Sequence, residues 1–158
     1  MVPVYLRGVL RSGFSWRDER LLDAGLLVGT ALLFLGARSF GFAYDDHWTI
    51  QENTWLDQPL GAILRAAFDG SGVRQDIPDI TRPAMLASVW VDHRVFGLAP
   101  AGYHLHSLLL YLLVVLTARR LLSRLGLPPA VAVISSALFA VLPMHAEVAA
   151  AINYREDR

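Results

Sequence analysis

The chain has 158 residues, of which 54% are hydrophobic, and its formal net charge at neutral pH is zero. A neutral chain has no general basic field for binding nucleic acid, and the absence of cysteine excludes disulfides, thiolate metal sites and cysteine nucleophiles. A positive mean hydropathy of +0.42 indicates a membrane protein whose soluble parts are too short to bury a core of their own.

The first predicted element is a transmembrane helix at residues 21–43, preceded by a basic segment at 1–20. About 20 helical residues cross the hydrocarbon of a bilayer, so this apolar run is long enough to span it. A basic segment before an apolar core is also typical of a signal peptide, but no small-residue cleavage site follows before Asp45. We therefore expect an uncleaved first span.

A long mixed segment follows at residues 44–101 and carries two amphipathic stretches. Apolar and aromatic residues recur at roughly helical spacing over 54–68, and an Asp-Gly-Ser-Gly sequence at 69–72 ends the pattern. A second stretch begins at Pro83, and its periodicity predicts that Asp92 lies away from the apolar face. Both stretches have the aromatic content of helices that lie along a membrane surface, or they cover the rest of a larger protein.

Two further apolar runs complete the chain. Residues 102–122 predict the second transmembrane helix, and 123–128 form a turn. The third span is predicted at 129–148, since it must continue past Pro143 to cross the hydrocarbon, and neighbouring helices can absorb a proline there. Residues 149–158 then begin a second loop without any tail, so we expect the chain to be part of a longer protein.

The arginine distribution predicts the orientation. Four arginines lie in residues 1–20 and three in 119–128, whereas the 43–101 segment has four arginines against eight acidic residues. Because cytoplasmic loops collect arginine, the N-terminus and the short turn are predicted to face the cytoplasm and the large loop the periplasm or its equivalent. Asp45, Asp46 and Glu147 would then share one side of the membrane.

The pair Asp45 and Asp46 is the first candidate site. Adjacent carboxylates disfavour each other's ionisation, and such a pair can bind a divalent cation or supply a general base beside a charge stabiliser. The alternative is a solvated helix cap, because aspartate is common at N-caps. Its position at the exit of a span, next to His47 and Trp48, favours a functional role.

The second candidate site follows the third span. His145 and Glu147 point about 200° apart in a regular helix, so they converge only if Pro143 unwinds the turn. Arg155 lies about 80° around the helix from Glu147 and could flank the same cleft, whereas the alternative is an interfacial polar turn. Arg82 and Arg155 are suited to phosphate because a guanidinium holds two oxygens in a fork.

His104 and His106 are poor candidates for a shared metal, because residues two apart on a helix face different sides. One of them can hydrogen-bond between helices. The chain contains no Gly-rich phosphate loop, no G-x-S-x-G and no H-E-x-x-H motif. Nucleotide handling and serine hydrolase chemistry therefore have no support.

Four segments together carry a resemblance to a known family: 42–46 (FAYDD), 81–86 (TRPAML), 96–105 (FGLAPAGYHL) and 142–148 (LPMHAEV), followed by Arg155 and Asp157. From residue 21 onward, the chain resembles the N-terminal part of GT-C membrane glycosyltransferases. The resemblance is greatest to the transmembrane O-mannosyltransferases that carry tetratricopeptide repeats, and to their bacterial relatives.

The resemblance implies an all-α membrane enzyme whose first portion has three transmembrane helices plus amphipathic surface helices in a large periplasmic loop. It implies transfer of a sugar from a polyprenyl-phosphate donor to an acceptor hydroxyl on a protein or glycan, at a bacterial inner membrane. The implied partners are membrane lipid, the lipid-linked donor and the acceptor.

The implied catalytic residues are Asp45, Asp46 and Glu147, the first two being the only candidates for a cation site. The implied substrate-binding residues are Arg82, His145, Arg155 and Asp157. Since the repeats and later spans are absent, this chain alone is expected to be inactive.

Two other functions remain open. In a non-catalytic membrane scaffold or lipid-binding subunit, the acidic residues would only cap helices. An ion or proton pathway would predict further charges deep in the spans, and residues 107–118 and 130–142 contain none.

Overall fold

The computed structural model describes residues 16–43, 45–142 and Ile152, and all the regular elements in this part of the chain are helical. The α-helices are α1 (Trp16–Phe34), α2 (Leu60–Phe68), α3 (Ser71–Arg74), α4 (Pro83–Phe96), α5 (Pro100–Arg124) and α6 (Pro129–Val141). Three short helical turns of other types lie between α1 and α2. Two are 3₁₀ turns, at Leu35–Ser39 and Thr54–Asp57, and one is a π turn, at His47–Gln51. The all-α prediction is confirmed for the described residues.

Two helices are long and apolar enough to cross a membrane. One is Asp18–Ser39, with 22 residues, which joins α1 to the 3₁₀ turn after it, and the other is the 25-residue α5. The apolar α6 has only 13 residues, and the predicted continuation to residue 148 lies outside the described residues. Length and composition therefore support two transmembrane helices, and the third span stays a prediction.

Tyr111 joins the three apolar helices. Its ring is buried and meets Phe34 of α1 edge-on at 5.4 Å, while its hydroxyl donates to the carbonyl oxygen of Ala140 in α6 at 3.0 Å. Leu26 of α1 and Val115 of α5 belong to the same buried cluster. One tyrosine thus satisfies its polar group and fills the space between α1, α5 and α6.

A buried ion pair ties α1 to the end of α5. Nε of Arg119 lies 3.3 Å from Oδ1 of Asp23, and Arg120 donates to Oδ2 of the same carboxylate. Arg119 also donates to the hydroxyl of Ser123. The Arg119 side chain is fully buried, whereas half of the Arg120 side chain is exposed. Asp23 therefore neutralises a charge that solvent cannot reach.

The segment between α1 and α5 has a hydrophobic core of its own, so the expectation that the soluble parts would bury none was wrong. Its buried residues come from the turns at 47–57, from α2 and α4 and from the turns at 75–82 between them, with Tyr103 and Ile152 added: Ile50, Leu56, Ile63, Ala66, Ile77, Ile80, Met85, Leu86, Val89, Tyr103 and Ile152. Short elements achieve this because they pack on one another and on the first turn of α5. We call this segment, residues 45–97, the loop unit.

The predicted amphipathic stretch at 54–68 is two elements in the structure. A 3₁₀ turn ends at Asp57, Gln58 is extended, and α2 starts at Leu60. Pro59 accounts for the division, since it lacks an N–H and disfavours helical geometry in the residue before it. The second predicted stretch is one helix, α4, from Pro83 to a Gly97 with a φ of 57°.

Asp92 is buried together with Met85, Leu86 and Val89 of α4, so the prediction that it lies away from the apolar face was wrong. Its Oδ1 lies 2.6 Å from Nδ1 of His106, which joins α4 to α5. Asp92 follows Met85 by seven residues and Val89 by three, so it lies on their side of the helix. A polar residue can be buried there when the helix that covers it offers a hydrogen-bond partner. His106 of α5 provides that partner.

Gly102 provides the space for a close approach between α4 and α5. A Cβ at this position would overlap the ring of Phe96, so Gly102→Ala should force the ring to move and destabilise the protein by about 1–3 kcal/mol. Gly61→Ala in α2 is the matched control, since its Cβ would meet no atom within 4 Å and should be neutral or slightly stabilising. Melting temperature in detergent tests both, and an unchanged value for Gly102→Ala would contradict the packing.

The ion pair of Asp23 gives a second prediction. Asp23→Asn leaves the buried Arg119 without a counter-charge, so the free energy of unfolding should fall by about 3–5 kcal/mol. Arg120→Gln removes the half-exposed partner of the same carboxylate and should cost no more than about 1 kcal/mol. Denaturant unfolding in micelles measures both values. Equal losses would mean that burial of Arg119 is not what makes the pair important.

Candidate functional site

Asp46 shapes the turn that follows the first apolar helix. Its backbone N–H donates to the carbonyl oxygen of Ala43 at 3.0 Å, and its Oδ2 accepts from the N–H of Ala43 at 3.0 Å. The residue is only 2% exposed. A buried carboxylate that accepts a backbone N–H holds a turn closed, as a cap does at a helix start. Tyr44, inside this turn, lies outside the described residues.

Asp45 is placed differently from its neighbour, because it is exposed. Its backbone carbonyl oxygen accepts from the N–H of Thr49 at 2.8 Å and from the Thr49 hydroxyl at 2.9 Å. These bonds fix the backbone of Asp45 and leave its carboxylate facing solvent. The acidic pair is therefore divided: one carboxylate serves the turn, and the other can meet a ligand.

The π turn at His47–Gln51 continues from this site. His47 and Gln51 hydrogen-bond through their side chains, Thr49 and Ile50 are buried, and the Trp48 side chain is exposed. A π turn is rare and occurs mostly at functional sites, because its extra residue turns neighbouring side chains to new directions. Here it separates buried positions from an exposed indole directly after the acidic pair.

Arg82 lies at the N-terminus of α4, as predicted. Half of its side chain is exposed, and Nη1 is 3.6 Å from Oδ1 of Asp79, whose backbone carbonyl oxygen accepts from the N–H of Arg82 at 2.8 Å. Asp79 has a positive φ of 54°, a conformation that aspartate tolerates better than most residues. The guanidinium thus lies half exposed at a surface turn, where it can meet an anion.

The second candidate site lies outside the described residues. His145, Glu147, Arg155 and Asp157 all belong to that part of the chain, so their roles stay predictions. Ile152 is the described residue within this stretch, and it is fully buried in the core of the loop unit. The core that contains Ile50 of the π turn therefore also contains a residue that follows α6.

The two histidines of α5 have different partners. Nε2 of His104 is 3.4 Å from the carbonyl oxygen of Gly41, and its ring meets Phe40 edge-on at 6.3 Å. His106 pairs with Asp92, so one histidine does hydrogen-bond between helices. Within the described residues, no group of three or more His, Asp or Glu side chains could hold a metal ion. A cation at Asp45 and Asp46 stays a prediction.

A cavity next to the acidic pair was missed by the sequence analysis. It has a volume of about 250 Å³, and the residues that line it come from the turns at 48–55 and 75–78: Trp48, Glu52, Asn53, Thr54, Trp55, Gln75, Asp76 and Pro78. We call it the acidic cavity. Trp48, Glu52 and Trp55 recur at i, i+4 and i+7, and this spacing was a usable signal of one shared face.

The chain matches no family model, and no solved structure matches it. It is 37% identical over 145 residues to the Protein O-mannosyl-transferase Tmtc1 of Drosophila melanogaster, a match that covers 85% of this chain and 16% of that protein. It is 28% identical over 153 residues to the Protein O-mannosyl-transferase TMTC4 of Mus musculus, which covers 85% of this chain and 21% of that protein.

The chain thus spans less than a quarter of the length of either relative. Both relatives are named as protein O-mannosyl-transferases. The resemblance to the transmembrane O-mannosyltransferases that carry tetratricopeptide repeats, which four sequence segments indicated, is confirmed over 85% of the chain.

Proposed function

We propose that this chain carries an acidic site of a GT-C membrane glycosyltransferase. The enzyme transfers a sugar from a polyprenyl-phosphate donor to an acceptor hydroxyl at the periplasmic face, or its equivalent, of a membrane such as the bacterial inner membrane. The observation that carries the proposal is the 37% identity to a protein O-mannosyl-transferase. The exposed Asp45, held at the exit of a 22-residue apolar helix, supports the position of the chemistry.

The division of the acidic pair supports a division of roles. Asp45 acts as the general base: its carboxylate takes the proton of the acceptor hydroxyl as that oxygen attacks the anomeric carbon and the lipid phosphate leaves. A positioned base contributes a factor of about 10²–10⁴ to the rate. Asp46 is a positioning residue, since its carboxylate closes the turn on Ala43.

The leaving phosphate needs positive charge, and Arg82 is the described residue best suited to provide it. Half of its side chain is exposed at the start of α4, so its guanidinium can meet a phosphate. Arg155 remains the second predicted partner. A divalent cation fits the described residues only in part, because Asp45 offers one exposed carboxylate while that of Asp46 serves the turn. No step proposed above depends on such a cation.

The shared core of the loop unit supports a common side for both acidic sites. Ile50 lies before α5 and Ile152 lies after α6, yet both are buried in one cluster. Two helices that cross the membrane in opposite directions between these residues would produce this arrangement. Glu147 would then enter the same cleft as Asp45. A third span that ends near residue 148 fits this topology.

The capping bond of Asp46 also fits the second candidate, a non-catalytic scaffold or lipid-binding subunit. In that case Asp46 would be needed for folding, and the carboxylate of Asp45 would have no role in folding or function. The two aspartates therefore distinguish the two functions when each is changed separately.

We expect Asp45→Asn to lower sugar transfer by a factor of about 10²–10⁴ and to leave membrane insertion and melting temperature unchanged. Asp46→Ala should lower stability by about 1–3 kcal/mol, since the N–H of Ala43 loses its partner. The assay is turnover of a polyprenyl-phosphate sugar in membranes from cells that express the complete gene. Asp69→Asn, at an exposed position of the loop unit, is the control. Full transfer by Asp45→Asn would exclude Asp45 as the general base, and absence of transfer by the unchanged protein would exclude the enzyme assignment.

The topology can be tested with single cysteines, because the chain has none. Phe68→Cys in α2 and Leu125→Cys after α5 both change exposed side chains. We expect a membrane-impermeant maleimide added from outside to label position 68 in intact cells, and to label position 125 only after permeabilisation. Labelling of both positions without permeabilisation would contradict a large external loop.

A further inference from the structure

We infer that the acidic cavity binds a cationic group, and that its ligand is an arginine or lysine side chain of a polypeptide. The inference rests on the proposed function only in that this polypeptide would be the acceptor. The cavity itself is defined by the described residues and not by the comparisons.

Charge is the first argument. Glu52 and Asp76 are exposed carboxylates in the cavity lining, which contains no basic residue. Neither forms an ion pair with any residue that the structure describes. Two negative charges at one concave surface reinforce each other's field and attract a cation from solution. The same field repels the phosphate of a lipid-linked donor.

The two indoles are the second argument. Trp48 and Trp55 line the cavity beside the carboxylates, and the π face of an indole attracts cations more strongly than any other side-chain ring. The loop unit already contains such an arrangement, since the guanidinium of Arg94 lies 5.1 Å from the ring centre of Trp90. A neutral sugar ring could stack on an indole, but it would leave both carboxylate charges without compensation.

Size and rigidity are the third argument. A volume of about 250 Å³ is below the ~300–1,000 Å³ of sites for drug-sized ligands, so it suits the head of one side chain. Asn53 holds the lining in place, because its Oδ1 accepts from the N–H of Trp55 at 3.1 Å and its Nδ2 donates to the carbonyl oxygen of Thr49 at 3.1 Å. A preformed site loses little entropy on binding.

The position relative to Asp45 makes the cavity an acceptor site. Trp48 and Asp45 are separated by two residues, and the N–H of Glu52 donates to the carbonyl oxygen of His47 at 2.9 Å, so cavity and acidic pair share one turn. A polypeptide whose basic side chain occupies the cavity would place a nearby hydroxyl close to Asp45. The enzyme would then prefer serine or threonine with an arginine or lysine a few residues away.

The experiment measures binding without donor or turnover. Protein from the complete gene is placed in lipid nanodiscs, and two fluorescent serine-containing peptides are compared by anisotropy, one with arginine and one with its neutral analogue citrulline. We expect the arginine peptide to bind about tenfold more tightly. Glu52→Gln with Asp76→Asn should abolish this preference, and Trp48→Leu should reduce it.

The variants are chosen to change chemistry rather than folding. Asp76 has a positive φ of 50°, which asparagine also tolerates, so Asp76→Asn removes charge without adding strain. Asp69→Asn is the matched control, because hydrogen bonds from the Ser71 hydroxyl and backbone N–H lower the pKa of the exposed Asp69, which keeps it charged outside the cavity. This control should keep the full preference for arginine.

Either of two results would overturn the inference. The first is equal binding of the arginine and citrulline peptides. The second is competition by mannose or phosphocholine at the cavity when no arginine preference exists. Failure of the proposed function is distinguishable. An arginine preference that depends on Glu52 and Asp76, in a protein that transfers no sugar, would retain the cavity site and exclude the enzyme assignment. Loss of transfer in Asp45→Asn without any arginine preference would retain the enzyme assignment and exclude the cavity as a site for a basic side chain.

Discussion

The packing of Tyr103 holds the candidate site to the membrane helices. Its ring is fully buried in the first turn of α5, meets Phe42 edge-on at 5.4 Å, and lies 6.4 Å from the ring of Phe96. Its hydroxyl donates to the carbonyl oxygen of Gly97 at 2.7 Å. Phe42 precedes the acidic turn and Phe96 ends α4, so one side chain joins the exit of α1, the loop unit and α5. The geometry of Asp45 depends on this junction, because a turn at a helix exit is only as well ordered as the core beneath it.

The acidic residues described above fall into two groups, which differ in burial and in role. Asp23, Asp46 and Asp92 are buried, and each has a different kind of partner: arginine, a backbone N–H or histidine. A buried carboxylate must have such a partner, so these three hold elements together. Asp45 and Glu52 are exposed on a rigid turn instead. Groups held in place by a core and open to solvent are the ones that can act on a ligand.

The turn after α1 therefore takes part in both proposed sites. Its start presents a candidate base, and its end forms, together with the turn at 75–78, a concave surface with two carboxylates and two indoles. Putting a reacting group and a recognition surface on one rigid segment fixes the distance between them, which is the main requirement for positioning an acceptor. The proposed class of reaction rests on the similarity to protein O-mannosyl-transferases. The proposed kind of acceptor rests on the acidic cavity.

The sequence by itself determined the features that depend on local signals. Residues 21–43 and 102–122 are apolar for long enough to span a bilayer, Pro83 and Gly97 delimit α4, and the ordered segments from Phe42 onward carry the family resemblance. Propensity, length and motif order are properties of neighbouring residues, so they can be read without a structure.

Only the tertiary structure decided which acidic residues are buried and which are exposed. Asp45 and Asp46 are adjacent and alike in sequence, yet one faces solvent and the other closes a turn. The sequence placed Asp92 away from the apolar face of α4, whereas in the structure it is buried and pairs with His106, 14 residues away. Asp23 likewise meets an arginine 97 residues away. The acidic cavity likewise needs two turns that lie far apart in the chain. Burial and ion pairing arise from contacts between distant segments, and no local pattern contains them.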